Sequence, residues 1–335
     1  MNFSVSDDQR ALAETVRSAC AKRFPLEELA RRDWATDVVR SEDWSALAGL
    51  GVFDLRVPDE DGGLGLGLPE AVVVFEELGR ALVPGPLVAT ELARALALVP
   101  AAGVVGSLRV GAGPALVEHL PALEALVLVD DADGLVSVVG RDDLAAAAHQ
   151  PAGRSLDPLG PRWLVPGPLP GRPVTDVRGL AGSRGRDGDA YGRWCRDEQV
   201  LTAALCVGIA AAAGELAVDY AGQRQQFGRP IGSFQAVKHL CADMFVRTET
   251  ARAAVHAASV TVDQPGVGDP TRSAAGAALV AGEAATANAK ACLQVHGGVG
   301  FTWDLPVHRY LTRSRVLVAG LRPATALAAV VAAAW

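Results

Sequence analysis

Between residues 201 and 220 the chain repeats apolar or small side chains at short helical steps: Leu201, Leu205, Gly208, Ile209, Ala212, Leu216 and Tyr220. At 3.6 residues per turn these fall in one stripe over roughly five turns. A stripe of that length is covered only by other helices laid alongside it, and the sequence that follows supplies them. Helices are predicted from Gly232 to about Val262, from Ser273 to about Gln294, from Leu305 to Leu317 and over Thr325–Ala334. Small residues at Gly208, Ala212, Ala277, Ala281 and Ala284 let antiparallel helices approach closely, so this part reads as a four-helix bundle.

The opening of the chain is helical as well. Ser6-Asp7-Asp8 offers an N-cap and first-turn acids, with Leu12, Val16 and Ala19 repeating behind them. A second helix runs from Glu42 to Leu50 and stops at Gly51; Pro58 to Gly67 is a glycine-rich loop. Pro69 starts a further helix through Val72, Phe75, Leu78 and Leu82, which ends at Pro84-Gly85-Pro86. The middle is different. Short β-like runs at 125–129, 135–139 and 162–165 lie between turns rich in Pro, Gly and Asp, and Arg184–Asp189 reads as a linker. The fold class is therefore mainly α with a reduced β middle: a helical domain over 1–105, a small β domain and linker over 106–192, and a helical bundle over 193–335.

Charge and composition exclude several functions. The sum of 31 basic and 38 acidic residues is −7, which opposes attraction to nucleic acid or an anionic bilayer. Five scattered cysteines without a C-x-x-C pair argue against a disulfide framework or zinc site, and six histidines show no ligand spacing, so no metal is expected. The start carries acid and no apolar core of a signal peptide, and stretches such as Ala324–Trp335 are too short to span a bilayer. A cytoplasmic location is expected. Gly62-Gly63-Leu64-Gly65-Leu66-Gly67 lacks the dinucleotide-binding frame and follows no strand, so it reads as a turn.

Two stretches suit a phosphorylated nucleotide. Arg224, Phe227 and Gln235 lie where one helix ends and the next begins, where a guanidinium and an amide can hold a pyrophosphate and an adenine edge. Gln294 with Gly297 and Gly298 is a helix end running into a turn whose backbone N–H groups are open to phosphate. On the residues alone the plainer reading is the favoured one, with Gly297–Gly300 a terminating turn, Phe227 a core plug and His296 a helix cap.

Taken in order, three segments carry a resemblance. They are Leu50–Pro58 with Gly62-Gly63-Leu64-Gly65 and Phe75–Arg80; Arg224–Ile231 with Phe234-Gln235 and Ala242-Asp243-Met244; and Gln294–Phe301 with Pro306, His308-Arg309 and Arg313. Together they resemble the acyl-CoA dehydrogenase family. The resemblance implies that Arg224, Phe227, Gln235, Gln294, Gly297 and Gly298 grip FAD lying mainly on a neighbouring subunit. It also implies acyl-CoA as substrate and an electron-transfer flavoprotein as acceptor.

Dehydrogenation of an acyl thioester needs a carboxylate to take the α-proton, buried enough that its pKa climbs from about 4.3 toward neutrality. The family's usual glutamate would fall near Gly320, within Ala319–Pro323, which holds no acid. The alternative place, used by isovaleryl- and long-chain-specific members, corresponds to Glu198. Its plainer reading is a solvent-facing acid in a helix's first turn beside Asp197. Family members carry Thr-Glu-Pro, Ala-Gly-Ser-Asp and Trp-Ile-Thr motifs in the middle. None occurs here, and Trp163 is left as either a flavin cover or a core residue. Such a shortened chain resembles one partner of the heteromeric α2β2 bacterial acyl-CoA dehydrogenases of steroid breakdown, paired with a full-length subunit; a homo-oligomer is the alternative. The expected function is α,β-dehydrogenation of a bulky or steroid-derived acyl-CoA. The alternatives are a non-catalytic partner completing another chain's flavin site, and a flavin-free helical assembly module.

Overall fold

The computed structural model describes residues 5–333 except 33, 36, 112, 174–189 and 265, so the Arg184–Asp189 stretch lies outside the described residues. Five helices open the chain: α1 (Asp7–Arg23), α2 (Leu26–Ala30), α3 (Ser41–Gly49), α4 (Leu68–Arg80) and α5 (Leu87–Ala95). Ser6 caps α1 through a reciprocal box: its Oγ accepts from Gln9 N at 3.1 Å, and its own N–H donates to Gln9 Oε1 at 2.9 Å. Leu68 rather than Pro69 begins α4, because Gly67 N–H is held by Glu70 Oε2 at 3.0 Å.

The middle holds more strands than the sequence announces: β1 (Val105–Arg109), β2 (Ala115–Glu118), β3 (Ala125–Asp130), β4 (Leu135–Gly140), β5 (Gln150–Pro151), β6 (Arg162–Val165) and β7 (Arg172–Pro173), with α6 (Arg141–Ala146) between β4 and β5. They form two sheets, ordered β1-β3-β4-β7 and β2-β6-β5. β1 pairs parallel with β3, Val105 opposite Ala125 and Arg109 opposite Val129. Trp163 pairs with Val117 across the second sheet and is buried, so it is a core residue of that sheet.

The rest is α7 (Ala190–Gln223), a hairpin of β8 (Gln225–Gln226) and β9 (Arg229–Pro230), α8 (Gln235–Asp263), α9 (Pro270–His296), α10 (His308–Gly320) and α11 (Ala324–Ala332). Helices α7, α8 and α9 pack against one another, and α10 lies on α7 and α9. The sequence suggested one apolar stripe on α7. In the structure this 34-residue helix is buried all the way round from Asp197 to Ala213, because α4 and α5 cover the side that the bundle leaves open. It is long and apolar enough to cross a membrane, yet 83% of its most apolar stretch is buried inside the protein.

The α4–α7 crossing is set by two glycines. A Cβ on Gly208 would stand 1.9 Å from the Glu76 carbonyl oxygen, and one on Gly79 would stand 2.2 Å from that of Leu205. Neither backbone can give way without moving its helix. The G208A variant is expected to lose about 1–3 kcal/mol of unfolding free energy, read by urea denaturation. An unchanged midpoint would mean that the helices do not approach this closely.

Candidate active site

At the junction of α4, α7, α10 and the two sheets lies a cavity of about 420 Å³. Leu78, Leu82 and Val83 form one wall, Leu205 and Ile209 of α7 the floor, and Val316 and Leu317 of α10 the opposite side. Polar groups enter at defined points: Thr202 and Glu198 from α7, Arg109 from the end of β1, the Glu118–Arg162 pair and Arg313. The two glycines at the α4–α7 crossing therefore also fix the cavity's shape.

Glu198 sits in the third turn of α7, which begins at Ala190, and only 9% of it is exposed. That overturns the solvent-facing, first-turn reading of this acid. One carboxylate oxygen, Oε2, accepts a charge-assisted hydrogen bond from the Arg109 guanidinium, whose other terminal nitrogen lies 2.6 Å from Asp131 Oδ1. Burial pushes the Glu198 pKa up and the Arg109 guanidinium pulls it back, with a net rise. The rise is in the direction a general base requires. Gly320, where the family's commoner glutamate would fall, lines the same cavity.

Asp197, the neighbouring residue, faces the other way. Its Oδ2 is 2.6 Å from Arg56 Nη1, while Arg56 is bidentate on Glu91 at 2.7 and 2.8 Å; all three are buried. Successive acids of one helix are thus held by arginines from the first helical block and from the first sheet. At the far rim Arg313 Nε lies 2.6 Å from Asp157 Oδ2, and Glu118 accepts from Arg162 at 2.7 Å.

The predicted nucleotide-binding residues lie elsewhere, and none lines the cavity. Arg224, Phe227 and Gln235 are exposed around the β8–β9 hairpin and the start of α8. Phe227 is 91% exposed at the hairpin tip, where Phe227 and Gly228 both take positive φ, so it is not a core plug. Gln294 is exposed on the last turn of α9, followed by Gly297 at φ +64°. A side chain would meet nothing within 4 Å at Gly297 or Gly298, but the left-handed backbone at Gly297 favours glycine. The two groups share one end of the bundle, where Ile231, Val237, Leu293 and Val295 join a single apolar cluster. His296 is turned inward instead, stacked on Tyr220 at 4.2 Å with Nδ1 2.8 Å from the Cys292 carbonyl.

These surface groups fit the tail of FAD through an exposed aromatic face, a planar cation and two amides. The Gly297 N–H, however, donates to the Leu293 and Gln294 carbonyls that end α9, so it is not open to a phosphate as the sequence suggested. That these groups stand at exposed helix ends and turns was legible in the sequence from the motifs. Arg109 and the Arg56–Glu91 pair were missed, since a lone arginine at a strand end or in a loop carries no local signal of what it meets.

A helical block, a small sheet middle and a helical bundle closing on one acid-bearing cavity define the acyl-CoA oxidoreductase class of fold. Residues 6–104 match the acyl-CoA dehydrogenase N-terminal domain and residues 195–320 the acyl-CoA dehydrogenase C-terminal domain. The chain is 35% identical over 319 residues to acyl-CoA dehydrogenase IpdE2 of Mycobacterium tuberculosis, covering 92% of this chain and 91% of that protein. It is 33% identical to acyl-CoA dehydrogenase FadE34 of the same organism over 94% of this chain, but spans only 46% of FadE34. Among solved structures, the ChsE4–ChsE5 complex of M. tuberculosis superposes with a TM-score of 0.78 at 22% identity, over 98% of this chain and 97% of the matched one. A glutaryl-coenzyme A dehydrogenase complex with glutaryl-CoA gives 0.80 at 20%, over 99% and 96%. This chain belongs to the acyl-CoA dehydrogenase family, a family of enzymes.

Proposed function

We propose that the chain is a subunit of an FAD-dependent acyl-CoA dehydrogenase that desaturates a bulky or steroid-derived acyl-CoA between Cα and Cβ, with Glu198 as the base. The observation that carries this is Glu198 itself, a buried carboxylate on the wall of a cavity of about 420 Å³ whose floor and sides are otherwise largely apolar. Such a space suits an alicyclic acyl group. Arg224, Phe227, Gln235, Gln294, Gly297 and Gly298 would hold the nucleotide tail of FAD. When bound, the flavin supplies the hydride acceptor. Glu198 takes the proton from Cα, and the apolar walls exclude water from the thioester.

Large apolar side chains are left in solvent at Phe227, at Phe245 and Val246 on α8, and at Phe301 beyond α9, each at least 60% exposed. The proposed FAD-holding residues Phe227 and Gln294 thus have exposed apolar neighbours in the chain on a face that a second chain would cover. A second chain covering that face fits the α2β2 reading, with a full-length acyl-CoA dehydrogenase as companion; a second copy of this chain is the alternative. An electron-transfer flavoprotein is the proposed acceptor and the cytoplasm the proposed location.

A non-catalytic partner role is favoured by one observation, the ion pair that engages Glu198 with Arg109. Co-expression tests the assembly. The chain expressed alone is expected to be colourless, and the assembly with its full-length companion to be yellow with a flavin absorption band. Flavin bound by this chain alone would establish a homo-oligomer, and no flavin in any assembly would leave only the assembly module.

A further inference from the structure

Arg109 is shared between two acids in different surroundings. Its Nη1 lies 2.6 Å from Asp131 Oδ1, in the β3–β4 turn, where the carboxylate side chain is 41% exposed; its Nη2 bonds Glu198, whose side chain is 12% exposed. Asp131 also accepts from the Tyr191 hydroxyl at 2.8 Å, so it is fixed independently of Arg109. Arg109 and Glu198 both line the cavity, and an acyl group entering it meets them together. We propose that Arg109 is the positioning residue of Glu198, orienting the carboxylate and keeping it charged while Asp131 holds the guanidinium in place when Glu198 turns to substrate. This rests on the reading of Glu198 as base.

The argument is electrostatic. A carboxylate buried this deeply without a cation takes up a proton and cannot act as a base near neutrality. One held by a cation of its own is ionised but weakly basic. A guanidinium divided between two acids lies between these limits. The other groups around Glu198 do not take over its task. Trp194, on the same helix, also favours the carboxylate form but carries no charge, and burial raises the Cys195 thiol beside Arg109 so that it stays neutral. Asp197 faces Arg56, Arg313 is paired with Asp157, and Arg162 with Glu118. The α4–α5 wall of the cavity contributes no ionisable group.

The test is a pH titration of the Glu198 carboxyl by infrared difference spectroscopy, wild type minus E198Q, on the folded protein. The R109Q variant is expected to raise the midpoint by about 1–3 pH units, R109K to bring it most of the way back, and D131N to move it the opposite way from R109Q. In the flavin-loaded assembly the acidic limb of the kcat profile should move by the same amounts. If R109Q does not fold, R109K and D131N still bracket the effect. A midpoint unmoved by these variants, or moved in one direction by both R109Q and D131N, overturns the proposal. Loss of turnover in E198Q beside an unmoved midpoint would sink Arg109 alone. Full turnover in E198Q would sink the base reading, even where the midpoint does shift.

Discussion

The E198Q variant of the flavin-loaded assembly is expected to lose about 10²–10⁴-fold in kcat while keeping its flavin. Glutamine fills the same volume and still offers Arg109 an oxygen, so the site loses the charge of one carboxylate and keeps its shape. What it cannot do is accept the Cα proton. Flavin retention should be unaffected, because the residues proposed to hold the nucleotide tail stand on a different face and none of them lines the cavity. The measurement is stopped-flow bleaching of the flavin band on mixing with acyl-CoA, set beside the band at rest. Bleaching at the wild-type rate would reassign Glu198 to a structural ion pair and the chemistry to the companion chain. That result would favour the non-catalytic partner reading. Loss of flavin together with activity would instead point to a defect of assembly.

Helices and the exposed turns between them were readable in the sequence because both are local. An N-cap serine with first-turn acids, a proline near a helix start and a glycine beyond a helix end act within a few residues, and they lie where the structure puts α1, α4 and α3. The end of α9 likewise announces itself by the glycines at 297 and 298 that follow it. The sheets were less legible. β1 has a glycine at its second position and an arginine at its end, and β5 and β7 are two-residue strands each containing proline. Their pairing comes from partners far along the chain. Distance in sequence also hid the acid's surroundings. Glu198 meets a residue 89 positions away and Asp197 one 141 positions away. No spacing rule reaches that far, so the sequence could nominate Glu198 but not show that it is buried. Nor could it show that α7, read as striped, is covered on every side once α4 lies across Gly208.

The R56M variant is expected to cost about 3–5 kcal/mol of unfolding free energy near neutral pH. Arg56 is the cation for two carboxylates, Glu91 and Asp197, and the three are between 0% and 3% exposed. Methionine replaces the stem and removes the charge, leaving both acids buried without it. Arg193 still faces Asp197, so Glu91 bears the larger part of the cost. The loss should depend on pH in a defined sense. Burial already pushes Glu91 up, and without Arg56 the main opposing influence is gone. A carboxyl whose folded pKa exceeds its unfolded value of about 4.3 keeps a proton that the unfolded chain releases. The variant's stability is therefore highest in acid and falls as pH rises from about 4.3 through the folded pKa. Urea denaturation at about pH 5 and about pH 8 should show the gap to wild type widening. Removing all three groups together, as R56M/E91L/D197L, should recover most of the loss, because the penalty comes from unpaired charge and not from a missing attraction. A variant with the same deficit at both pH values, unrelieved by the triple change, would mean that Arg56 acts through packing alone. Because Asp197 precedes Glu198 directly, R56M should also slow flavin bleaching by the surviving folded protein, and an unaltered rate would show that this clasp fixes the helix without placing the base.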